Sequence, residues 1–116
     1  MPSAVIILVN SNMKLISVSK SDKALKKYKA VFCVCKSKVS QCQPPDRKVV
    51  HFGYKGSTTY IDGADDTARR NYIKRHRVNE DWTDGQSPGA LSRYLLWGDS
   101  KDLDKNISDF KTRFKC

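Results

Sequence analysis

The sequence predicts an α+β fold, in which a small antiparallel sheet in the N-terminal half packs against about three helices in the C-terminal half. The first 56 residues contain short segments rich in β-branched and aromatic residues, separated by turn residues, which is typical of strands. From residue 65 onward, apolar residues recur at helical spacing and are flanked by capping residues. A chain of 116 residues can form one modest core, so we expect a single domain over residues 1–116.

Four strands are expected. Residues Ala4–Val9 and Lys14–Val18 flank Asn10-Ser11-Asn12, a pattern that predicts a short β-hairpin. Tyr28–Cys35 has the density of valine and aromatic residues that a third strand requires, and Val49–Phe52 predicts a fourth. Two consecutive prolines between the last two strands predict a loop, because proline cannot donate a hydrogen bond to a sheet.

Three helices follow. The first covers Asp65 to about Val78 and begins with two acids, which favour the positive end of the helix dipole. The second has Ser87 as its N-cap, Pro88 at the first helical position and Gly98 just past its end.

The third helix is predicted by four apolar residues at i, i+4, i+7 and i+11, namely Leu103, Ile107, Phe110 and Phe114. Packing the apolar faces of all these elements together predicts one shared core. We expect that core to contain Phe32, Phe52, Tyr72, Leu95, Trp97, Ile107 and Phe110.

The formal net charge is +10, and the first half of the chain carries most of it. Residues 1–60 contain 11 lysine and arginine residues against two acids, whereas residues 61–116 contain 11 against ten acids. An unbalanced basic surface predicts an acidic partner: nucleic acid, an anionic membrane or an acidic face of another protein. A lysine-coated face that only keeps the protein soluble is the alternative interpretation.

Two basic clusters are the candidates for binding an acidic protein or phosphate groups. The first cluster consists of Lys26, Lys27 and Lys29. The second lies on the first predicted helix and consists of Arg69, Arg70, Lys74, Arg75 and Arg77. Acids on both sides of this helix are able to neutralise part of its charge. An apolar contact with a partner is expected through Val5, Ile6, Ile7 and Leu8.

The cysteines are the obvious candidates for metal binding. Cys33, Cys35 and Cys42, with His51 downstream, are potential soft ligands, but the C-x-C spacing on a strand does not match the usual zinc knuckle. Residues two apart on a strand face the same way, so these thiols are expected to act as small core hydrophobes. We therefore predict no bound metal, no cofactor and no disulfide among these three cysteines.

No catalytic arrangement is predicted. His51 falls within a strand and His76 on the apolar side of a helix, so both are expected to be structural histidines. Acids between residues 62 and 81 could hold a divalent metal for a nuclease, but carboxylates at a helix start explain the first of them more simply. Residues 53–56 contain two glycines but match neither phosphate-loop pattern, so a turn is expected there.

No membrane span or export signal is expected. The longest apolar run, Ala4–Val9, is far shorter than the roughly 20 residues that a transmembrane helix needs. It also lacks the basic leader and cleavage site of a signal peptide. A protein made and kept in a reducing compartment is therefore expected.

Five segments form a recognisable set, namely residues 27–32 (KYKAVF), 50–56 (VHFGYKG), 69–76 (RRNYIKRH), 80–82 (EDW) and 88–97 (PGALSRYLLW). Together they resemble a domain-of-unknown-function family from nucleocytoplasmic large DNA viruses of algae and amoebae. The resemblance runs from about residue 27 to 114, which makes 27–114 a family-like core and 1–26 an N-terminal extension.

The resemblance implies that the protein acts in a large DNA virus. It implies no enzymatic activity, cofactor or small-molecule substrate. A small basic protein of such a virus is expected to be a structural component of the particle. The simplest such component is a minor capsid protein, made in the host cytoplasm and held in the virion by neighbouring shell proteins. The alternative is a sequence-nonspecific DNA-binding protein on the packaged genome, although no helix-turn-helix, zinc-finger or RNA-recognition signature is present.

Overall fold

The structure is a computed structural model that describes residues 12–116. It confirms the α+β class: three strands in the first half are followed by helices in the second. The predicted strand Ala4–Val9 lies outside the described residues. In chain order the elements are β1 (Met13–Lys20), β2 (Lys26–Val34), β3 (Arg47–Tyr54), α1 (Asp66–His76), α2 (Pro88–Leu91) and α3 (Leu103–Arg113).

The sheet is antiparallel, with the strands in the order β1-β2-β3. The pairing places apolar residues of neighbouring strands opposite each other on the face that the helices cover. Leu15 of β1 lies opposite Phe32 of β2, and Ala30 of β2 lies opposite Val50 of β3. A bulge between Leu15 and Ser17 shifts the register by one residue. Without this bulge, the residues after Leu15 would present the opposite faces to the core.

The helices begin at the predicted residues because side chains there accept hydrogen bonds from free backbone amides. Asp65 accepts from the amide of Ala68 at the start of α1, and Ser87 accepts from the amide of Ala90 at the start of α2. The short helix α2 continues directly as a π-helical segment, Ser92–Leu96.

One hydrophobic core joins the sheet to the helices, as predicted. The largest fully buried apolar side chains include Phe32 and Phe52 from the sheet, Leu95 from the π-helical segment and Phe110 from α3. Tyr72 and Trp97 belong to the same core, and Ile107 packs against it from a partly buried position. The apolar periodicity therefore predicted the core correctly.

The prediction that Cys33, Cys35 and Cys42 form no disulfide is wrong. Cys33 bonds to Cys42, and Cys35 bonds to Cys116 across a sequence separation of 81. The loop after β2 folds back to the strand, and α3 returns residue 116 to the end of β2. The prediction rested on the spacing of neighbouring thiols and on the expected absence of an export signal, whereas both bonds depend on where the chain returns to β2.

We expect Trp97→Ala to lower the free energy of unfolding by about 3–5 kcal/mol, because it removes a large aromatic side chain that is 9% exposed. Urea denaturation followed by circular dichroism measures the change. The control is Val78→Ala, at a position that is 74% exposed, which should shift the free energy by less than about 0.5 kcal/mol. Equal urea midpoints for the two variants would show that Trp97 is not part of the core.

The double variant Cys35→Ala/Cys116→Ala should lose about 4 kcal/mol of stability in non-reducing buffer, because its cross-link closes a loop of about 80 residues in the unfolded chain. Urea denaturation in non-reducing buffer, against the wild-type chain, measures this loss. Alkylation of the denatured wild-type chain, followed by intact mass, should detect no free thiol among the four cysteines. Alkylation of all four would contradict the disulfide assignment.

Candidate functional site: a groove between helix α1 and the end of the sheet

A groove of about 560 Å³ lies between helix α1 and the end of the sheet. One wall is the segment 53–59, which leaves the end of β3, and the opposite wall is helix α1. The floor comes from residues 92–97, which include the π-helical segment. A cavity of this volume falls in the range typical of small-molecule and cofactor sites.

Helix α1 presents one continuous face to the groove. Five of its residues line the groove at i, i+3, i+4, i+7 and i+8, which is the spacing of one helical face. This face mixes apolar and polar side chains, whereas a face buried in a core would be apolar throughout. The five residues are Ala68, Asn71, Tyr72, Arg75 and His76.

Three stacked rings connect this helical face to the floor. The ring of Tyr72 lies 4.5 Å from Trp97 and 4.1 Å from His76, measured between centroids, at interplanar angles of 8° and 24°. Nδ1 of His76 lies 2.6 Å from Oε2 of Glu80, whose other oxygen accepts from Nε1 of Trp82 at 2.9 Å. Because an ionised carboxylate only accepts hydrogen bonds, Nδ1 of His76 is the protonated nitrogen. The ring is thereby held in one orientation with Nε2 left to bind other groups.

Burial raises the pKa of the Tyr72 phenol to about 12, and the negative charge of Glu80 acts in the same direction. The phenol therefore stays protonated at neutral pH. It can donate a hydrogen bond into the groove from the α1 wall, but it cannot act there as a base.

The opposite wall depends on an unusual backbone conformation and on one half-buried lysine. Gly53 has φ +79°, and a side chain at this position would approach Leu96 to 2.9 Å. Nζ of Lys27 donates to the carbonyl oxygen of Ser57 at 2.7 Å and also lies 2.7 Å from Oδ2 of Asp62. The same carboxylate accepts from the amide and the hydroxyl of Thr59. Lys27 thus fixes the segment that forms the wall.

Two of the cationic residues proposed from sequence serve mainly intramolecular contacts. Lys27 binds Asp62 and Ser57, as described above. Arg69 donates to the carbonyl oxygens of Trp97 and Gly98 and to Oδ1 of Asp99. Both side chains connect separate elements, so their charges are largely compensated within the chain.

The other basic residues proposed from sequence lie on two elements. Lys26 and Lys29 are on β2, where Lys26 is exposed and Lys29 is half-buried. Arg75 lines the groove. An exposed basic ridge, called the α1 ridge below, runs along the helix and consists of Arg70, Lys74 and the C-cap residue Arg77. The apolar contact predicted for Val5, Ile6, Ile7 and Leu8 lies outside the described residues.

The groups considered for metal or catalytic chemistry are separated in space. Over the described residues there is no cluster of three or more histidine, cysteine or acidic side chains suited to a metal ion. The four cysteines are paired as disulfides and so offer no thiolate ligand. Nδ1 of His51 lies 2.7 Å from the hydroxyl of Ser21, away from the groove. No helix within residues 12–116 combines the length and apolar character needed to cross a bilayer.

The sequence interpretation missed most of the groove. It placed Tyr72 and His76 on the apolar side of α1 and Arg75 in a basic cluster, but it did not use Asn71 and did not connect Arg75 with the apolar face. A polar residue that interrupts an apolar face at helical spacing is a signal for a lined cavity. The contribution of Tyr54 had no such signal, because it depends on how the chain turns after Gly53.

Residues 16–76 match the family of unknown function DUF5754, and the match covers more than half of the chain. The chain belongs to this family. The DUF5754 match begins within β1 and ends at the last residue of α1, so it includes both walls of the groove but not the floor at residues 92–97. No curated protein and no solved structure matches the chain.

Asp62→Asn should reduce stability at neutral pH by about 1 kcal/mol, because the Lys27 contact is partly exposed. Partial burial raises the pKa of Asp62, but hydrogen bonds from Lys27 and Thr59 outweigh it, so the pKa lies below its ordinary value. Its stabilising effect is therefore fully present above the unfolded-state pKa and is lost as pH falls through the folded-state pKa. Urea midpoints of the two proteins should converge in acid. A constant difference at all pH values would rule out the charged contact.

Proposed function

We propose that this DUF5754 protein is a non-enzymatic structural component of a large double-stranded DNA virus particle, a minor capsid protein held by neighbouring shell proteins. The viral setting comes from the resemblance of the segments between residues 27 and 114. The observation that carries the structural role is the pairing of the four cysteines into two disulfides.

Disulfides persist in oxidising surroundings, which include the surfaces of virions, and are rare in proteins that stay in the cytosol. A chain made in the host cytoplasm acquires lasting disulfides when it becomes part of a particle that leaves the cell. One of the two bonds closes a loop of about 80 residues and so stabilises the whole domain against unfolding. Both properties suit a component of a shell that must survive outside a cell.

The uncompensated charge suits attachment to acidic neighbours. Lys26 and the α1 ridge of Arg70, Lys74 and Arg77 are exposed, and none of them takes part in an ion pair within the described chain. Each exposed pair with a partner carboxylate would contribute only about 0–1 kcal/mol. Stable attachment therefore requires many contacts, apolar ones included, over a wide interface.

The α1 ridge also supports a second candidate, a sequence-nonspecific DNA-binding protein on the packaged genome. Cations at i, i+4 and i+7 lie along one side of a helix and can follow a row of phosphates. Such binding depends steeply on salt, because it releases the counterions that neutralise DNA. Contacts between shell proteins that bury apolar surface are screened far less.

Disruption of purified virions in non-reducing buffer with rising salt separates the two candidates. At about 0.5 M salt the Debye length is about 4 Å, so phosphate contacts weaken strongly. Quantitative mass spectrometry of the sedimented shell and of the genome fraction should find the chain with shell fragments, with its disulfide-linked peptides intact. Viral proteins known from the same sample to bind DNA serve as the control for release.

Release of the chain together with those DNA-bound proteins would overturn the capsid role and favour the genome-bound one. Absence of the chain from purified virions would overturn both. Detection in the virion with all four cysteines reduced would remove the observation on which the structural role depends.

A further inference from the structure

We propose that the groove between α1 and the segment 53–59 is a nucleotide site, which binds a planar base together with its phosphate. The ligand is either a free nucleotide or one unit of a single-stranded nucleic acid. This inference does not depend on the capsid role, because it follows from the groove alone.

The base would lie against the exposed ring of Tyr54. This side chain is 60% exposed, although it borders the groove. The backbone of Gly56 lies close to the ring, since an added Cβ would be 3.0 Å from its Cε2 atom. The ring is thus supported by its own loop and open to solvent elsewhere. Aromatic rings held in this way serve as stacking platforms for bases, whatever the base is.

The phosphate would bind on the opposite wall, at Arg75. This side chain is exposed, lines the groove and forms no ion pair among the described residues. The guanidinium can donate two parallel hydrogen bonds to phosphate oxygens. The nearby carboxylates are already engaged, Glu80 by His76 and Trp82, and Asp62 by Lys27.

Polar groups between Tyr54 and Arg75 can form hydrogen bonds with the edge of a base. Asn71 is exposed on the α1 wall and carries both a donor and an acceptor. Thr58 is exposed on the opposite wall. The floor formed by Leu96 and Trp97 supplies apolar surface at the centre. In a duplex the bases are stacked inside the helix and cannot reach Tyr54, so the site selects unpaired bases.

The test measures binding of AMP and of a fluorescent oligothymidylate of about eight nucleotides to the disulfide-bonded full chain at low salt. Calorimetry follows AMP, and fluorescence anisotropy follows the oligonucleotide. Arg75→Gln should weaken binding of either probe by about tenfold or more, because it removes a charge-assisted contact. Tyr54→Ala should weaken oligonucleotide binding by about tenfold, and Tyr54→Phe should restore it, since the ring face is retained.

The matched control is Lys111→Gln, which removes one positive charge from an exposed position on α3 that does not line the groove. It should change binding by less than about twofold. An oligonucleotide that binds at least tenfold more tightly than AMP identifies single-stranded nucleic acid as the ligand, and similar affinities identify a free nucleotide.

Three results would overturn the proposal. One is the absence of binding of both probes to the wild-type chain. Another is equal loss of binding in Arg75→Gln and Lys111→Gln, which would indicate attraction by net charge alone. The third is tighter binding of a duplex of the same length than of the single strand. Circular dichroism of each variant separates loss of binding from loss of fold.

Discussion

Helix α1 buries a single side chain, that of Tyr72, so its position depends on the stack between Tyr72 and the indole of Trp97. An aromatic pair of this kind contributes about 0.5–1.5 kcal/mol beyond the burial of its surface. Arg69 adds hydrogen bonds to the carbonyl oxygens of Trp97 and Gly98, which fix the rotation of the helix about that anchor. The spacing between Arg75 and the segment 53–59, and therefore the width of the groove, follows from this anchoring.

Charged side chains also hold separate parts of the domain together. Lys27 and Arg69 each connect one part of the chain to another, and each does so by satisfying backbone carbonyl oxygens as well as a carboxylate. Even a half-buried lysine would be costly without such partners, because desolvation penalises an unpaired cation. The lysine and arginine residues that give the net charge of +10 therefore include some that hold the domain together and others that face solvent. Only the second group can attract a partner.

The features that the sequence predicted correctly are those whose cause lies within a few residues. The N-caps Asp65 and Ser87 and the apolar spacing of α3 depend on neighbours one to eleven positions away, and the structure has each of them. The bond between Cys35 and Cys116 depends on where α3 ends relative to β2, which no local pattern encodes. The groove could be predicted only in part. Helical spacing indicates the face of α1 that lines it, whereas the position of the opposite wall depends on the left-handed turn at Gly53.

The π-helical segment Ser92–Leu96 makes this part of the chain tolerant of a change in length. Its widened turn is visible in the hydrogen bond from the amide of Trp97 to the carbonyl oxygen of Ser92, five residues back. A π turn holds one residue more than an α turn, so deleting one residue of this segment would let it rewind to an α turn while the chain on either side keeps its rotation about the helix axis. The stack of Trp97 on Tyr72 would then be retained. In α1 or α3, which contain no such surplus residue, the same deletion would rotate every later residue of the helix by about 100°.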